Sequence, residues 1–189
     1  GGRIADVLET KTVINDPPEP QQFTEPFHGR VEFRDVSFRY PDAPENVLCN
    51  ITFTAEPGQT TAIIGSTGSG KSTVVNLIPR FYDVTEGAIY VNGTDVRQVR
   101  QGDLRDRIGY IPQKGMLFSG TIESNLLYAD KNASADDLRS AVDIAQAGEF
   151  IYDSPEGLAT EIAQGGTNVS GGQKQRLAIA RALVKKPPI

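Results

Sequence analysis

Hydrophobic and polar residues alternate over the first half of the chain in a way that predicts β-strands. Residues 31–40 read Val-Glu-Phe-Arg-Asp-Val-Ser-Phe-Arg-Tyr, so the apolar positions change phase after the second one. A strand that keeps one face buried can change phase through one extra residue, so we expect a β-bulge near Asp35. Residues 47–55 predict a second strand, and the Asn-Gly pair at 92–93, after the apolar residues 88–91, predicts a hairpin.

Two short apolar runs predict buried strands of a parallel sheet. They are residues 60–64 (Thr-Thr-Ala-Ile-Ile) and 107–111 (Arg-Ile-Gly-Tyr-Ile). The residues after position 71 have helical spacing, but Pro79 falls within this segment and is expected to shorten or kink the helix.

The second half of the chain has helical periodicity. Ser134 is followed three residues later by Asp137, which predicts a capping box, and apolar residues then recur at helical spacing. A shorter helix is expected near residues 149–152 and a longer one over residues 173–184.

Composition narrows the class of protein. A chain of 189 residues with 38% hydrophobic and 23% charged residues suits one globular domain. The net charge is −5 and the 19 lysines and arginines are scattered, which disfavours nucleic acid as a partner. The single cysteine, Cys49, excludes an internal disulfide and is expected to be a small buried side chain.

A glycine-rich run carries the clearest chemical signal. Residues 65–73 read Gly-Ser-Thr-Gly-Ser-Gly-Lys-Ser-Thr, which fits the phosphate-loop pattern between a predicted strand and a predicted helix. Glycine lets the backbone curl so that its N–H groups point at a phosphate chain. Lys71 is expected to reach the β- and γ-phosphates and Ser72 to bind Mg²⁺, while Thr73 is a second hydroxyl near the α-phosphate.

A second run, Ser-Gly-Gly-Gln at residues 170–173, stands directly before a predicted helix. A hydroxyl, two residues without side chains and a helix N-terminus can form an anion site. Ser170 can equally be an ordinary helix cap, which local chemistry alone favours.

Taken together, the two motifs resemble the ATP-binding domain of ABC transporters, over essentially the whole chain. Residues 169–173, Val-Ser-Gly-Gly-Gln, are similar to the signature motif of that family, whose usual form begins with Leu. The resemblance implies an α/β fold, with a P-loop NTPase (RecA-like) core, an antiparallel β-subdomain and an α-helical subdomain, incomplete at the C-terminus.

The resemblance also implies roles for individual residues. Tyr40 is expected to stack on adenine, and Gln113 to be the catalytic glutamine that contacts Mg²⁺ and the attacking water. Two such domains are expected to stack head to tail, so that each signature motif faces the ATP held by the other copy. The expected contacts to ATP are Tyr40, Gly65, Ser66, Thr67, Gly68, Ser69, Gly70, Lys71, Ser72, Thr73, Ser170, Gly171, Gly172 and Gln173, and those to Mg²⁺ are Ser72 and Gln113.

The exporter branch of the family supplies the expected organisation. Residues 1–26 resemble a linker from a transmembrane domain, and 27–112 an ATP-binding core with its β-subdomain. Residues 113–168 resemble the helical subdomain, and 169–189 the signature motif and the helix after it. The expected partners are a second ATP-binding domain, in the same or a different chain, and a transmembrane domain.

Residues 118–125 are similar to the segment after the glutamine in exporters, and the pair at 117–118 is expected to be exposed for docking. From the resemblance, we expect the parent protein to hold this domain at the cytoplasmic face of the cell membrane, and we expect residues 1–189 by themselves to be soluble.

Hydrolysis depends in this family on a later apolar strand that ends in Asp-Glu, and on a histidine beyond it. That strand would begin at Ile189, and no other carboxylate occupies a matching place. We therefore expect the intact parent to be an ATP hydrolase, and these residues alone to bind ATP without hydrolysing it.

Two other classes of protein share some of these features. An ABC-type ATPase that acts on DNA would carry the same motifs, but the interval from Gln113 to Ser170 has no heptads or cysteine pairs. A non-catalytic nucleotide sensor is compatible with the missing carboxylates.

Overall fold

An antiparallel sheet and a group of helices make up the structure, a computed structural model that describes residues 14–114 and 116–189. These residues fall into two compact units. One contains the described residues up to Ile108 together with Pro188–Ile189, and the other is Gly109–Pro187. Residues 1–13 of the expected linker lie outside the described residues.

Among the described residues of the first unit, four strands and two α-helices are found. They are β1 (Val31–Phe38), β2 (Leu48–Ala55), α1 (Lys71–Leu77), β3 (Glu86–Val91), β4 (Thr94–Asp95) and α2 (Gln101–Arg105). The strands make one antiparallel sheet in the order β2-β1-β3-β4.

The bulge predicted in β1 is confirmed. Its register against both neighbouring strands shifts within residues 33–37, and Asp35 has a φ of 49°. The extra residue keeps apolar side chains on the core face on both sides of the bulge, so Phe33 and Phe38 are both buried. The predicted hairpin at Asn92 is also confirmed.

The second unit is mainly helical. It contains β5 (Gly120–Thr121), α3 (Ile122–Leu127), α4 (Ala135–Ile144), α5 (Gly148–Tyr152), β6 (Glu161–Ile162) and α6 (Gly171–Leu183). Leu177 and Ala180 of α6 are buried in a core shared with α3 and α4. The antiparallel sheet and the helices predicted as parts of an α/β fold are thus confirmed.

Local signals placed the helix ends well. The capping box at α4 is confirmed: Ser134 Oγ accepts from the Asp137 backbone N–H at 3.1 Å, and the Asp137 carboxylate accepts from the Ser134 N–H at 3.0 Å. Helix α1 ends at Leu77, two residues before Pro79, as expected of a residue without a backbone N–H. Helix α6 begins at Gly171, two residues earlier than predicted.

Both strands predicted for a parallel sheet are wrong in this structure. Residues 60–64 and 107–111 form no strand, and Ile64 is 93% exposed. A parallel strand needs hydrogen-bonding neighbours on its edges, and no strand among the described residues pairs with either run. The expectation that Cys49 is buried is also wrong, because the side chain lies on the solvent side of edge strand β2.

Within residues 14–114 and 116–189, none of the helices combines the length and the apolarity that crossing a bilayer requires.

Candidate functional site

The glycine-rich loop leads directly into α1. Gly68 and Gly70 have φ values of 80° and 94°, in the left-handed region that favours glycine. Gly70 immediately precedes the helix, and a Cβ at that position would lie 2.9 Å from Leu48 Cδ2 and 3.2 Å from Val47 Cγ1. The close approach to β2 and the backbone conformation therefore both require glycine at position 70.

Lys71 folds back over the start of this loop. Its Nζ donates hydrogen bonds to the carbonyl of Gly65 and, at 3.3 Å, to the carbonyl of Ser66. Residues 65–69 are exposed to solvent. An anion that entered the loop would meet a lysine ammonium that is held at present only by backbone carbonyls, so the loop has the charge and the access that a phosphate site needs.

The two hydroxyls after Lys71 have different environments. Ser72 is exposed, whereas Thr73 is only 4% exposed and its Oγ1 lies 2.7 Å from Oη of Tyr40. Ser72 is thus the accessible hydroxyl for a metal ion. The described residues contain no cluster of three or more His, Cys, Asp or Glu side chains that could hold a metal on its own.

Tyr40 belongs to a cluster of three aromatic rings. Its centroid lies 4.8 Å from that of Phe38 at an interplanar angle of 82°, and 5.3 Å from that of Tyr82 at 88°. Phe38 and Tyr82 also contact each other, with centroids 5.6 Å apart. Tyr82 was not predicted from the sequence, because the contact joins distant segments and no periodicity relates them.

A buried arginine supports the turn that carries Tyr82. Arg80 is 5% exposed, and its guanidinium makes two hydrogen bonds to the Asp83 carboxylate, at 2.7 and 3.2 Å. Arg105 donates to the carbonyls of Pro79 and Arg80, each at 3.0 Å. Burial and the neighbouring Arg80 charge lower the pKa of Arg105 from its ordinary value. Two arginines thus brace the turn after α1.

A cleft of about 370 Å³ borders the same loop on another side. Apart from Thr61, Ser69 and Lys71, its lining side chains are apolar and include Phe53, Ile64 and Val74. One wall comes from the run at residues 60–64, which pairs with none of the strands in the part of the chain that the structure describes. The lining lacks the convergent polar groups of a phosphate site.

The signature-like residues lie in the second unit, at the start of α6. Ser170 Oγ accepts from the backbone N–H of Gln173 at 3.2 Å, and Gln173 Oε1 accepts from the Ser170 N–H at 3.1 Å. Ser170 is therefore a helix cap, the simpler of its two interpretations. Ser170, Gly171 and Gly172 are exposed, so the capped end remains open to solvent.

Gln113 is an exposed residue of the second unit, in a bend. Residues 117 and 118, which follow it, were both expected to be exposed, but they differ. Leu117 is buried, with 6% of its surface exposed, whereas Phe118 is 43% exposed. The Phe118 ring lies 4.8 Å from that of Tyr128, which is 70% exposed. The Arg181 guanidinium lies over the Phe118 ring, 5.4 Å from its centroid. The expectation of a fully exposed pair is wrong for Leu117, because its side chain faces the helical core.

The first unit therefore brings together the loop of residues 65–70, Lys71, Ser72, Thr73 and Tyr40. The other predicted site residues, Gln113 and 170–173, belong to the second unit.

Comparison with known proteins places this arrangement in a family. The chain is 47% identical over 189 residues to an uncharacterized ABC transporter ATP-binding protein, YfiB, of Bacillus subtilis (strain 168), covering 100% of this chain and 32% of that protein. It is 43% identical over 190 residues to the ATP-dependent lipid A-core flippase of Xanthomonas euvesicatoria pv. vesicatoria (strain 85-10), covering 98% and 32%. The chain spans about a third of the length of the curated relatives it matches.

A solved structure gives the same result. The structure of a bacterial Atm1-family ABC exporter with ATP bound superposes with a TM-score of 0.88 at 36% identity, covering 98% of this chain and 33% of that one. The family model described as ABC transporter matches residues 48–189, which include both the phosphate loop and the signature-like motif. On this match and these similarities, the chain belongs to the ABC transporter family.

Proposed function

We propose that this chain is the ATP-binding part of a membrane exporter that couples Mg·ATP binding and hydrolysis to transport. The observation that carries the proposal is the exposed loop of residues 65–69, with Lys71 folded over it and the Tyr40 hydroxyl hydrogen-bonded to Thr73. The loop that would bind a triphosphate and the aromatic ring that would bind a base thus both contact the first turn of α1. Relatives named as an exporter and a flippase support the transport role.

Each group in the loop has a distinct role in this proposal. The backbone N–H groups of residues 66–70 and the Lys71 ammonium bind the phosphate chain, and Tyr40 stacks on adenine. Ser72 holds Mg²⁺, which when bound neutralises phosphate charge. Gln113, in the second unit, contacts the metal ion and orients the attacking water.

We further propose that two copies of this domain, from the same or different chains, close head to tail on ATP. Ser170, Gly171 and Gly172 of one copy then bind the γ-phosphate held by the other copy, which suits an exposed hydroxyl beside two glycines. The exposed Phe118 and Tyr128 rings face a transmembrane domain, at the cytoplasmic side of the membrane.

A complementation experiment tests the phosphate loop and the head-to-tail arrangement together. In the intact protein, Lys71→Ala disables the loop and Ser170→Asp places a negative charge where the γ-phosphate would bind. Neither variant alone should associate through ATP, since each homodimer has both sites damaged. A mixture of the two retains one undamaged site, formed by the loop of one copy and the signature residues of the other.

We expect ATP to promote association in the mixture, measured by fluorescence transfer between labelled copies, with Lys131→Ala as an unaffected control. If the wild type binds ATP but the mixture of the two variants does not associate with ATP, the head-to-tail proposal is overturned. Absence of ATP binding by the wild type would overturn the proposed function.

Hydrolysis by residues 1–189 alone is a separate proposal. No carboxylate in the printed sequence matches the Asp-Glu pair that the family uses. We expect ATP binding with negligible phosphate release from this polypeptide. Hydrolysis of many ATP molecules per polypeptide, at the rate of an intact transporter, would contradict the proposal that residues 1–189 alone do not hydrolyse ATP.

A further inference from the structure

The orientation of Tyr40 is set by contacts at three places. Phe38 and Tyr82 both meet its ring nearly perpendicularly, at 82° and 88°. Its hydroxyl is 2.7 Å from Thr73 Oγ1. Neither of these two rings is stacked parallel to Tyr40. A flat base that binds Tyr40 would lie parallel to the ring, in offset stacking.

Phe38 and Tyr82 differ in what else they do. Phe38 is 2% exposed and belongs to the core of the first unit, whereas Tyr82 is 37% exposed. Removing Phe38 would therefore damage the fold. Tyr82 stands at the edge of the core, so its ring contacts Phe38 and Tyr40 without filling the interior.

The position of Tyr82 is set by the turn in which it lies. The preceding residues end α1, and the ion pair between buried Arg80 and half-buried Asp83 closes the turn on both sides of the tyrosine. The Arg80 backbone has a φ of 59° and its N–H donates to Leu77 O at 3.1 Å, so the turn is built directly on the last residue of α1. The same short helix thus carries the phosphate-binding Lys71 at one end and the Tyr82 turn at the other.

We infer that Tyr82 is a positioning residue for the nucleotide base: it holds Tyr40 in the orientation on which the base stacks. The inference rests on the proposed function, since it assigns a residue to the base end of the same site. The hydrogen bond to Thr73 links the Tyr40 ring to the helix that follows the phosphate loop. Loss of Tyr82 would remove one ring contact of Tyr40 and leave this hydrogen bond in place.

The test compares ligands with and without a base. Binding of Mg·ATP and of Mg·tripolyphosphate to the intact protein is measured by calorimetry for the wild type, Tyr82→Leu and Tyr82→Phe. Leucine removes the perpendicular ring contact and phenylalanine keeps it. We expect Tyr82→Leu to weaken ATP binding by about two- to tenfold, the range of an aromatic pair, with tripolyphosphate binding unchanged and Tyr82→Phe close to the wild type.

Tyr90→Leu is the matched control, a tyrosine of the same unit whose ring contacts Arg34 on β1 and none of the three clustered rings. It should bind both ligands as the wild type does. Three outcomes would overturn the inference: unchanged ATP binding in Tyr82→Leu, equal weakening of both ligands, or a defect in Tyr82→Phe as large as that of leucine. Failure of the wild type to bind either ligand would instead overturn the proposed function.

Discussion

Ser170 and Gln173 hold each other by two reciprocal hydrogen bonds at the start of α6. The serine hydroxyl accepts from the Gln173 backbone N–H at 3.2 Å, and the glutamine side chain accepts from the Ser170 N–H at 3.1 Å. A hydroxyl has one proton and can accept two bonds, so accepting the capping bond leaves the proton available to a ligand. Capping the helix and donating to a phosphate are therefore compatible roles for Ser170.

Substitutions at Ser170 should separate those roles. Ser170→Ala should lower the free energy of unfolding by about 1 kcal/mol through loss of the cap. Ser170→Asp should retain most of that stability, because aspartate also caps helices, while it abolishes ATP-dependent association by repelling phosphate. Urea unfolding and sedimentation with ATP measure the two effects. Equal association of Ser170→Asp and the wild type would remove the phosphate role.

Lys71→Ala should weaken ATP binding by about ten- to a hundredfold, the range of one charge-assisted hydrogen bond in a site of this kind. The ammonium at present bonds only backbone carbonyls, of Gly65 and Ser66. Titration calorimetry of Lys71→Ala measures the loss. Lys131→Ala removes an exposed lysine of the second unit and should bind ATP normally. Unchanged affinity in Lys71→Ala would contradict the assignment of the loop.

Gly70→Ala should destabilise the first unit more than a comparable glycine substitution elsewhere. At Gly70 the φ of 94° is joined by a contact of 2.9 Å between the new Cβ and Leu48 Cδ2. Gly93 has a similar φ of 81° but open space around the position, so Gly93→Ala isolates the backbone cost, about 1–2 kcal/mol. We expect Gly70→Ala to lower the free energy of unfolding by about 1 kcal/mol or more beyond the loss in Gly93→Ala, because the added Cβ overpacks the site. Urea unfolding of both variants decides the point, and equal losses would show that the Leu48 contact is readily relieved.

Acid should remove part of the stabilisation at the start of α4. The backbone N–H of Ser134 and the Lys186 side chain both bind the charged form of Asp137 and lower its pKa from the ordinary value. A carboxyl whose pKa is lowered by folding stabilises the chain above its unfolded pKa, and this contribution is lost as the pH falls through the folded pKa.

Between about pH 5 and about pH 2, the wild type should therefore lose more unfolding free energy than Asp137→Asn does. Denaturant unfolding at several pH values measures the difference. Asp153→Asn, at an exposed carboxyl, should follow the wild type. Parallel curves for the wild type and Asp137→Asn would show that the carboxylate contributes nothing to the fold.

Local signals were enough for much of the architecture. The bulge near Asp35, the hairpin at Asn92, the cap at Ser134 and the end of α1 before Pro79 all follow from interactions within a few residues. The phosphate-loop motif is equally local, since it depends on glycine conformation and on the charge of Lys71. These features are the ones that physical chemistry can derive from short stretches of chain.

The apolar run at residues 60–64 shows where that derivation stops. Its composition suits a buried parallel strand, yet a strand is made by hydrogen bonds to neighbours, and no strand of the described residues pairs with it. The predictions of exposure for Cys49 and Leu117 were wrong for a related reason. Both are small or apolar side chains next to apolar residues, but the direction in which each side chain points, away from the core for Cys49 and into the helical core for Leu117, decides its exposure.

Residue order alone thus determined the glycine-dependent loop conformation, the bulge and the helix caps, because each arises from contacts between near neighbours. Only the folded chain revealed that the Tyr82 ring contacts Tyr40 and that Thr73 is hydrogen-bonded to the Tyr40 hydroxyl, since these contacts join the segment just after β1, helix α1 and the turn after α1. Residues far apart in sequence meet only when the packing of whole elements brings them together, and no pattern within one segment encodes that meeting.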